Sequence, residues 1–527
     1  MAVAVSASRN GAVARAGAAR GDAGVIEYGA RRALITAAII TATLLEIVDV
    51  TIVNVALPNI QGNFGASVDQ AAWIGTGYII ANVIVIPITP WLSMRFGRRQ
   101  YYAASIALFT VASLMCGLSG SLNQLIFWRV VQGLGGGGLI STSQAILRET
   151  YPNSEQGKAA GIFAMGVIVG PTIGPTLGGL ITDNFTWRWA FFINIPLGIM
   201  AMLLVMSFLR NPHKPQRLPL DYVGLGFLAV GIGSLQYVLD QGQQKDWFDD
   251  ASIVGFSVLA VTGLIAFVVW ELSRKRPIVD LHVLRYRSVA AGSILGMALG
   301  VSLYGSVLIL PQFVQNSLGF TATLSGELLV MRAGAVMLLT PLAAALSTRG
   351  KIDPRLFIAC GFILLGISNL MLANITTTDT GFWSFFWTLA ISGFGLAQIF
   401  VPLTLSVLGN VAPKDIPAAS AFFNLSRQIG GSIAIAVLIT ILVRSNATHH
   451  AELASAITLR SPAVFSYVQK HGGEVASAAG LNALVDQQAI VLAYADTARV
   501  TAAITFMLVP CVLLMRRPKP QAGIAAD

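Results

Sequence analysis

Three charged residues stand where a chain this apolar can least accommodate them. Glu46 and Asp49 lie in the run Glu46-Ile-Val-Asp49-Val-Thr51-Ile-Val-Asn54-Val-Ala-Leu-Pro58, and Arg129 lies in the otherwise uncharged stretch Leu125 to Gly133. A carboxylate at mid-bilayer depth costs several kcal/mol if charged and unpaired, so it should face a bundle interior and is by default a functional residue. At positions i and i+3, Glu46 and Asp49 share one helix face. Burial and mutual repulsion work against both being charged, so one of the two can load and release a proton. Arg129 cannot realistically lose its charge. It aligns with Gly133, Gly137 and Ser141 at every fourth position, with Gln132 adjacent, so its guanidinium projects from a seam thin enough for another helix to approach. Beside a carboxylate it holds the charge, and drawn away it lets the acid protonate. A permanent ion pair fits the same residues.

The elements that must position these groups follow from composition. The chain has 527 residues, 55% hydrophobic and 11% charged, too little polar surface to clothe a soluble globule of that size. Runs of about 20 apolar residues span a bilayer. Fourteen are expected, at roughly 33–57, 71–93, 101–119, 123–147, 158–182, 189–209, 221–240, 251–271, 288–310, 325–347, 356–374, 381–409, 417–443 and 497–515. The predicted class is an all-α polytopic membrane protein. The formal charge of +10 sits in short clusters between the runs, without the continuous basic face that nucleic acid needs. Arg95, Arg98, Arg99, Arg148, Lys158, Arg210, Arg274, Arg287, Arg355 and Lys414 fall in alternate loops, and the positive-inside rule makes that side, with both termini, cytoplasmic.

Segment 5 carries Gly166, Gly170, Gly174 and Gly178 at every fourth position, with Gly179 next to the last and Pro171 and Pro175 between them. In water each glycine inside a helix costs about 1 kcal/mol and each proline about 3 kcal/mol. In lipid such breakers survive where neighbouring helices satisfy the freed backbone groups. The expectation is a bent, close-packed helix whose bare seam lets a neighbour lie almost backbone to backbone and pivot on it.

An internal repeat is also legible. Phe127-Trp128-Arg129 and Phe386-Trp387-Thr388 are 259 residues apart, and the same offset carries Ala159-Ala160-Gly161-Ile162-Phe163 onto Ala418-Ala419-Ser420-Ala421-Phe422. Segments 1–6 and 9–14 then form two related halves, with segments 7 and 8 as extra spanners. The expected divisions are a disordered arm (1–32), a first half (33–209), the two extra helices with linkers (210–287), a second half (288–515) containing an outer loop (444–496), and a tail (516–527). The start of the chain lacks an apolar stretch long enough for a signal peptide. An Arg- and Ala-rich transit peptide is the rival reading of the arm.

These motifs resemble those of the fourteen-spanner drug:proton antiporters of the major facilitator superfamily, the EmrB/QacA type. Asp49 to Pro58 resembles that group's first-helix signature, Leu125 to Gly133 its fourth-helix motif, Gly166 to Gly179 its antiporter motif, and Trp187 to Pro196 a segment typical of the group. The loop motif after segment 2 appears as Arg95, Gly97, Arg98 and Arg99, with Met94 where the superfamily has an acid. The resemblance implies a proton-coupled antiporter of lipophilic small molecules, energised by the proton gradient without a cofactor. The stretch around His449-His450-Ala-Glu452-Leu453 resembles pumps that work with a membrane-fusion adaptor and an outer-membrane channel, which implies an inner-membrane location. A dedicated exporter of one metabolite, siderophore or fatty acid is the alternative.

The remaining polar residues carry less. Tyr78, Asn82, Gln132, Gln398 and Asn424 could line a substrate cavity or act as interhelical glue. Glu327, Arg332 and Arg427 are further intramembrane charges. The His449-His450 pair lacks a spaced acid or third histidine, so no metal site is expected. Cys116, Cys360 and Cys511 are too scattered for a disulfide framework and read as buried thiols. His213 and His282 lie singly in loops without nucleophile or metal-ligand spacing, which argues against an enzyme.

Overall fold

The computed structural model describes residues 26–211, 215–216, 219–274, 277–348, 353–458, 461–470 and 474–515. Most of the expected arm, the tail from 516 and His213 lie outside the described residues. Among the described residues every regular element is helical. The first half comprises α1 (Gly29–Phe64), α2 (Val68–Phe96), α3 (Arg98–Gly117), α4 (Leu122–Gly136), α5 (Leu139–Thr150), α6 (Gln156–Asn184), the short α7 (Trp189–Phe192) and α8 (Asn194–Phe208). The extra pair is α9 (Tyr222–Gln241) and α10 (Ala251–Ser273). The second half is α11 (Arg287–Asn316), α12 (Ala322–Thr348), α13 (Pro354–Ile375), α14 (Phe386–Leu408), α15 (Ile416–Ala456), α16 (Pro462–Lys470) and α17 (Glu474–Met507).

Among the described residues, twelve helices are long and apolar enough to cross a membrane. The expected segment 4 is divided between α4 and α5, and the apolar part of α11, Arg287–Leu303, is shorter. Twelve full spans with these two are compatible with fourteen segments. Polar side chains set the helix starts. Ser67 forms a capping box with Gln70 at α2, Asp221 accepts from the Gly224 amide at α9, and Asp353 with Pro354 opens α13; each satisfies donors that a helix start leaves free.

The two halves repeat one packing plan. α1 lies on α6, α2 on α4, and α3 on α4 and α8. Correspondingly α11 lies on α15, α12 on α14, and α13 on α14 and α17. The halves meet along α6 against α12 and α2 against α15. The extra pair covers the second of these seams, since α9 packs on both α2 and α15. At one end of that seam Thr76 bonds Asp240 of α9, and the Trp247 indole N–H donates to Thr440 Oγ1 of α15 at 3.1 Å. At the Arg-rich end the Trp91 indole donates to Pro219 O at 3.3 Å.

Two expectations change. Cys116 is buried, but Cys360 is exposed on α13 and Cys511 is intermediate, because apolar runs turn one face outward to lipid and a thiol there stays on the surface. The stretch 444–496 is largely a continuation of the spanning helices, with α15 running to Ala456 and α17 beginning at Glu474.

Candidate functional site

Asp49 is fully buried near the middle of α1, and Arg129 of α4 is 1% exposed. Arg129 Nη1 lies 2.6 Å from Asp49 Oδ2. The other carboxylate oxygen accepts from Gln132 Nε2 and from Asn194 Nδ2, each at 2.8 Å. Arg129 also donates from Nη1 to Gln132 Oε1 at 2.8 Å and from Nε to Ile74 O at 3.1 Å. Its guanidinium stacks over the Tyr78 ring at 4.2 Å. Charge-assisted bonds of this kind are roughly twice as strong as neutral ones. Both partners are buried, so removing either strands the other.

Glu46, one turn earlier on α1, is 5% exposed and has a different environment. Its Oε1 accepts from Asn82 Nδ2 at 2.9 Å, and its Oε2 from the Ile140 backbone N–H at 3.2 Å. That N–H is free because Gly135 to Gly138 divide segment 4, and Ile140 lies in the first turn of α5, where amides lack an intrahelical partner. Close packing leaves room only for glycine here. A Cβ on Gly135 would lie 2.7 Å from the Phe109 backbone N, and one on Gly137 would lie 2.9 Å from Val85 Cβ. Glu46 thus sits at a helix N-terminus, which favours negative charge. The Arg427 charge on α15, in the other half, also acts on it.

The glycine seam of α6 faces the helix that carries both acids. A Cβ added at Gly166 would meet Ile40 at 3.5 Å, at Gly170 Ile47 at 2.7 Å, and at Gly178 Val55 at 3.0 Å. At Gly174 it would collide with the Thr51 side chain. Crowding is greatest beside Asp49 and absent at Gly166. The helix continues through Pro171 and Pro175, and Gly179 is buried beside the last ladder position.

Of the residues considered for a cavity, Tyr78, Asn82 and Gln132 hold the charged cluster. Asn424 of α15 donates to Gln144 Oε1 of α5 at 2.8 Å, and Ser420 Oγ donates to the same oxygen at 2.6 Å, a bridge between halves. Gln398 packs beside Gly361 of α13. The loop motif is stitched to its surroundings: Arg95 lies over the Trp91 ring at 5.6 Å, Arg98 pairs with Glu149, and the Arg99 amide donates to Asn211 Oδ1 at 2.8 Å. Gly97 has φ +87°, a conformation that glycine adopts without penalty. Sequence reading passed over Asn194, Gln144 and the Ile140 amide. Asn194 had a signal, a lone amide in an aromatic-apolar stretch; the other two contacts depend on tertiary packing.

The family model described as Major Facilitator Superfamily matches residues 39–435. The chain belongs to that superfamily and is a multi-pass membrane transporter, not an enzyme. Within it the chain is of the EmrB type. It is 35% identical over 473 residues to Multidrug export protein EmrB of Escherichia coli (strain K12), covering 89% of this chain and 92% of the relative. It is 33% identical to Fatty acid resistance protein FarB of Neisseria gonorrhoeae, with coverage of 89% and 92%. The solved structure of the human organic anion transporter MFSD10 (TETRAN) has TM-score 0.55 and 12% identity, covering 91% of this chain and 100% of that one. That likeness shows the fold.

Proposed function

We propose that this protein exports lipophilic drugs or other toxic small molecules across the cell inner membrane in exchange for protons, by alternating access of its two halves. The observation that carries the reading is the cluster of Asp49, Arg129 and Glu46, whose two acids lie on α1, the helix that also meets the glycine seam. Proton loading then changes charge balance at the place where α1 and α6 are most tightly apposed. The gradient is adequate: one charge crossing 100 mV is worth about 2.3 kcal/mol, and each pH unit adds about 1.4 kcal/mol. The Arg-rich end and both termini face the cytoplasm in this reading. The names of the relatives, a multidrug exporter and a fatty acid resistance protein, support a lipophilic substrate. We assign the helical extension beyond residue 444 to a periplasmic membrane-fusion adaptor, which would join the permease to an outer-membrane channel.

The test is reconstitution. Proteoliposomes holding the purified chain and a pH-sensitive dye should show substrate movement and proton counterflow together, each abolished when the gradient is collapsed. Substrate movement without proton counterflow would refute coupling, and no movement of any lipophile would refute export.

A further inference from the structure

At the Arg-rich end of the bundle, away from the Asp49 cluster, the structure holds a partly open cavity of about 400 Å³, within the size range of small-molecule pockets. Three parts of the chain build it. The end of α2 contributes Trp91 and Met94, the segment after α10 contributes Pro277 to Asp280, and the start of α15 contributes Ala421 and Phe422. The cavity therefore lies where the first half, the extra pair and the second half converge. Pro87, Pro90, Pro277, Pro413 and Pro417 all line it, and their fixed backbones resist collapse of the walls.

The sign of its charge sets it apart. The loops at this end are rich in Arg and Lys, yet the lining holds Glu149, Asp280 and Asp415 against Arg98 and Lys414. Arg98 is paired with Glu149, which leaves among the lining residues Lys414, Asp415 and Asp280, the last also in contact with His282 Nδ1 at 3.0 Å. Both carboxylates are held in place: Asp415 accepts from the Tyr286 hydroxyl at 2.9 Å, and Asp280 accepts from the His282 backbone amide at 3.0 Å. The Asp415 carboxylate in turn pushes the Tyr286 phenol above its usual pKa, so this tyrosine stays a donor. Aromatic, thioether and proline walls with a carboxylate excess complement a rigid lipophilic cation: the walls bury its apolar body and the acids hold its charge.

The position gives binding a consequence. Ala421 lines the cavity and adjoins Ser420, whose hydroxyl bridges to Gln144 of the first half at 2.6 Å. An occupant would press on the helix turn that joins the halves. At membrane depth α9 covers the seam between α2 and α15, so on this flank the cavity is the exposed end of the seam.

We propose that this cavity binds lipophilic organic cations from the cytoplasmic leaflet, as a waiting site separate from the Asp49 cluster. The direction of travel rests on the export reading; the binding does not.

The test is a labelling experiment in inverted vesicles. Met94→Cys is introduced into a chain with Cys116, Cys360 and Cys511 replaced by alanine, and treated with a membrane-impermeant maleimide. Tetraphenylphosphonium should slow labelling, while tetraphenylborate, of the same shape and opposite charge, should not. Asp280→Asn with Asp415→Asn should raise the half-protecting concentration about fivefold, or about 1 kcal/mol. Protection should persist in Asp49→Asn. Absence of protection, equal protection by the two ions, indifference to the double substitution or loss in Asp49→Asn overturns the proposal. Should the cysteine-free chain not insert, the otherwise native chain carrying Ala421→Trp, which fills the cavity, supplies a second reading. Tetraphenylphosphonium should stabilise the native chain against heat and leave this variant unaffected, and equal stabilisation of both overturns the proposal. Labelling needs no proton gradient, so protection without export would sink the export reading and leave the site standing.

Discussion

The two halves share a packing plan and differ in chemistry. Each pairs its first helix with its fifth, its second with its fourth and its third with its sixth. The first half places Glu46, Asp49 and Arg129 inside that frame. The second has Thr388 at the position that the 259-residue offset assigns to Arg129, and α11 contains no acidic residue. Thr388 is buried, and its carbonyl accepts from Ser368 Oγ at 2.8 Å, an ordinary interhelical bond. The buried charges of the second half in this region are cations, Arg332 and Arg427. The repeat thus fixes how the helices stack, while the acid chemistry is confined to one side. In the proposed proton exchange the first half changes its charge state against the fixed positive charge of the second.

The sharpest way to break this comparison is to remove the asymmetry. Asp49→Asn should abolish proton-driven efflux in proteoliposomes, and it leaves Arg129 buried without its counter-charge, a loss of roughly 3–5 kcal/mol for a broken buried pair. Adding Arg129→Met should restore much of the thermal stability of the detergent-purified protein and none of the transport. If the double variant pumps, the pair is structural only. A chain with Asp49→Asn alone that effluxes normally would place coupling elsewhere, Glu46 first.

Next in size is the seam. Overpacking a tight contact costs about 1–3 kcal/mol, and the crowding around α6 grades that cost by position. Gly174→Leu, against Thr51, should stop the exchange of access while the protein still reaches the membrane. Gly166→Ala, with 3.5 Å to Ile40, should be close to neutral. Efflux assays on both, normalised to the amount of protein in the membrane, decide it: equal activity in the two would mean that α1 and α6 do not move on each other there.

The charged cluster was legible because a carboxylate or guanidinium in an apolar run has few tolerable fates, so Asp49, Glu46 and Arg129 declare themselves by type and spacing. Asn194 hid because an amide carries no such penalty, although it donates to Asp49 at 2.8 Å. The break between α4 and α5 was written in four consecutive glycines, Gly135 to Gly138, but an apolar count reads straight through glycine. The same count ended segment 13 near 443, whereas α15 continues to Ala456; hydropathy measures contact with lipid, and a helix can outlast it. The bridge from Gln144 to Ser420 and Asn424 spans more than 270 residues of sequence and follows only from the docking of the halves.

A smaller effect separates the two acids. Glu46→Gln keeps one acceptor oxygen, for the Ile140 amide, and turns an NH2 toward Asn82, whose side-chain amide can flip to accept from it, while it removes a titratable group. Efflux should persist with its pH optimum displaced by about one unit, the equivalent of about 1.4 kcal/mol. A pH profile superimposable on the native one would make Glu46 a helix cap and no more.

The smallest effect on transport itself is expected outside the membrane, where the halves differ again: among the described residues, only the second extends its helices into a projecting hairpin. Below the tip, α15 and α17 are tied by Ser445 Oγ and His449 Nε2, which lie 3.0 and 2.7 Å from Asp496 Oδ2. Toward the tip, His450 Nε2 is 3.1 Å from Asp486, Val468 and Val485 are buried, and Phe465 and Leu484 are each 49% exposed. A helix gains about 1.5 Å per residue, so the stretch of α15 past Val443 adds about 20 Å. Two large apolar side chains presented that far from the bundle serve a partner better than they serve this fold. Replacing residues 455–485 by a Gly/Ser linker removes them and leaves the ties at Asp496 in place. Efflux in proteoliposomes should then stay at the native rate, while drug resistance should be lost in cells with an intact outer membrane. Full resistance in those cells would mean that the hairpin docks nothing, and a fall in proteoliposome efflux would mean that it braces the second half.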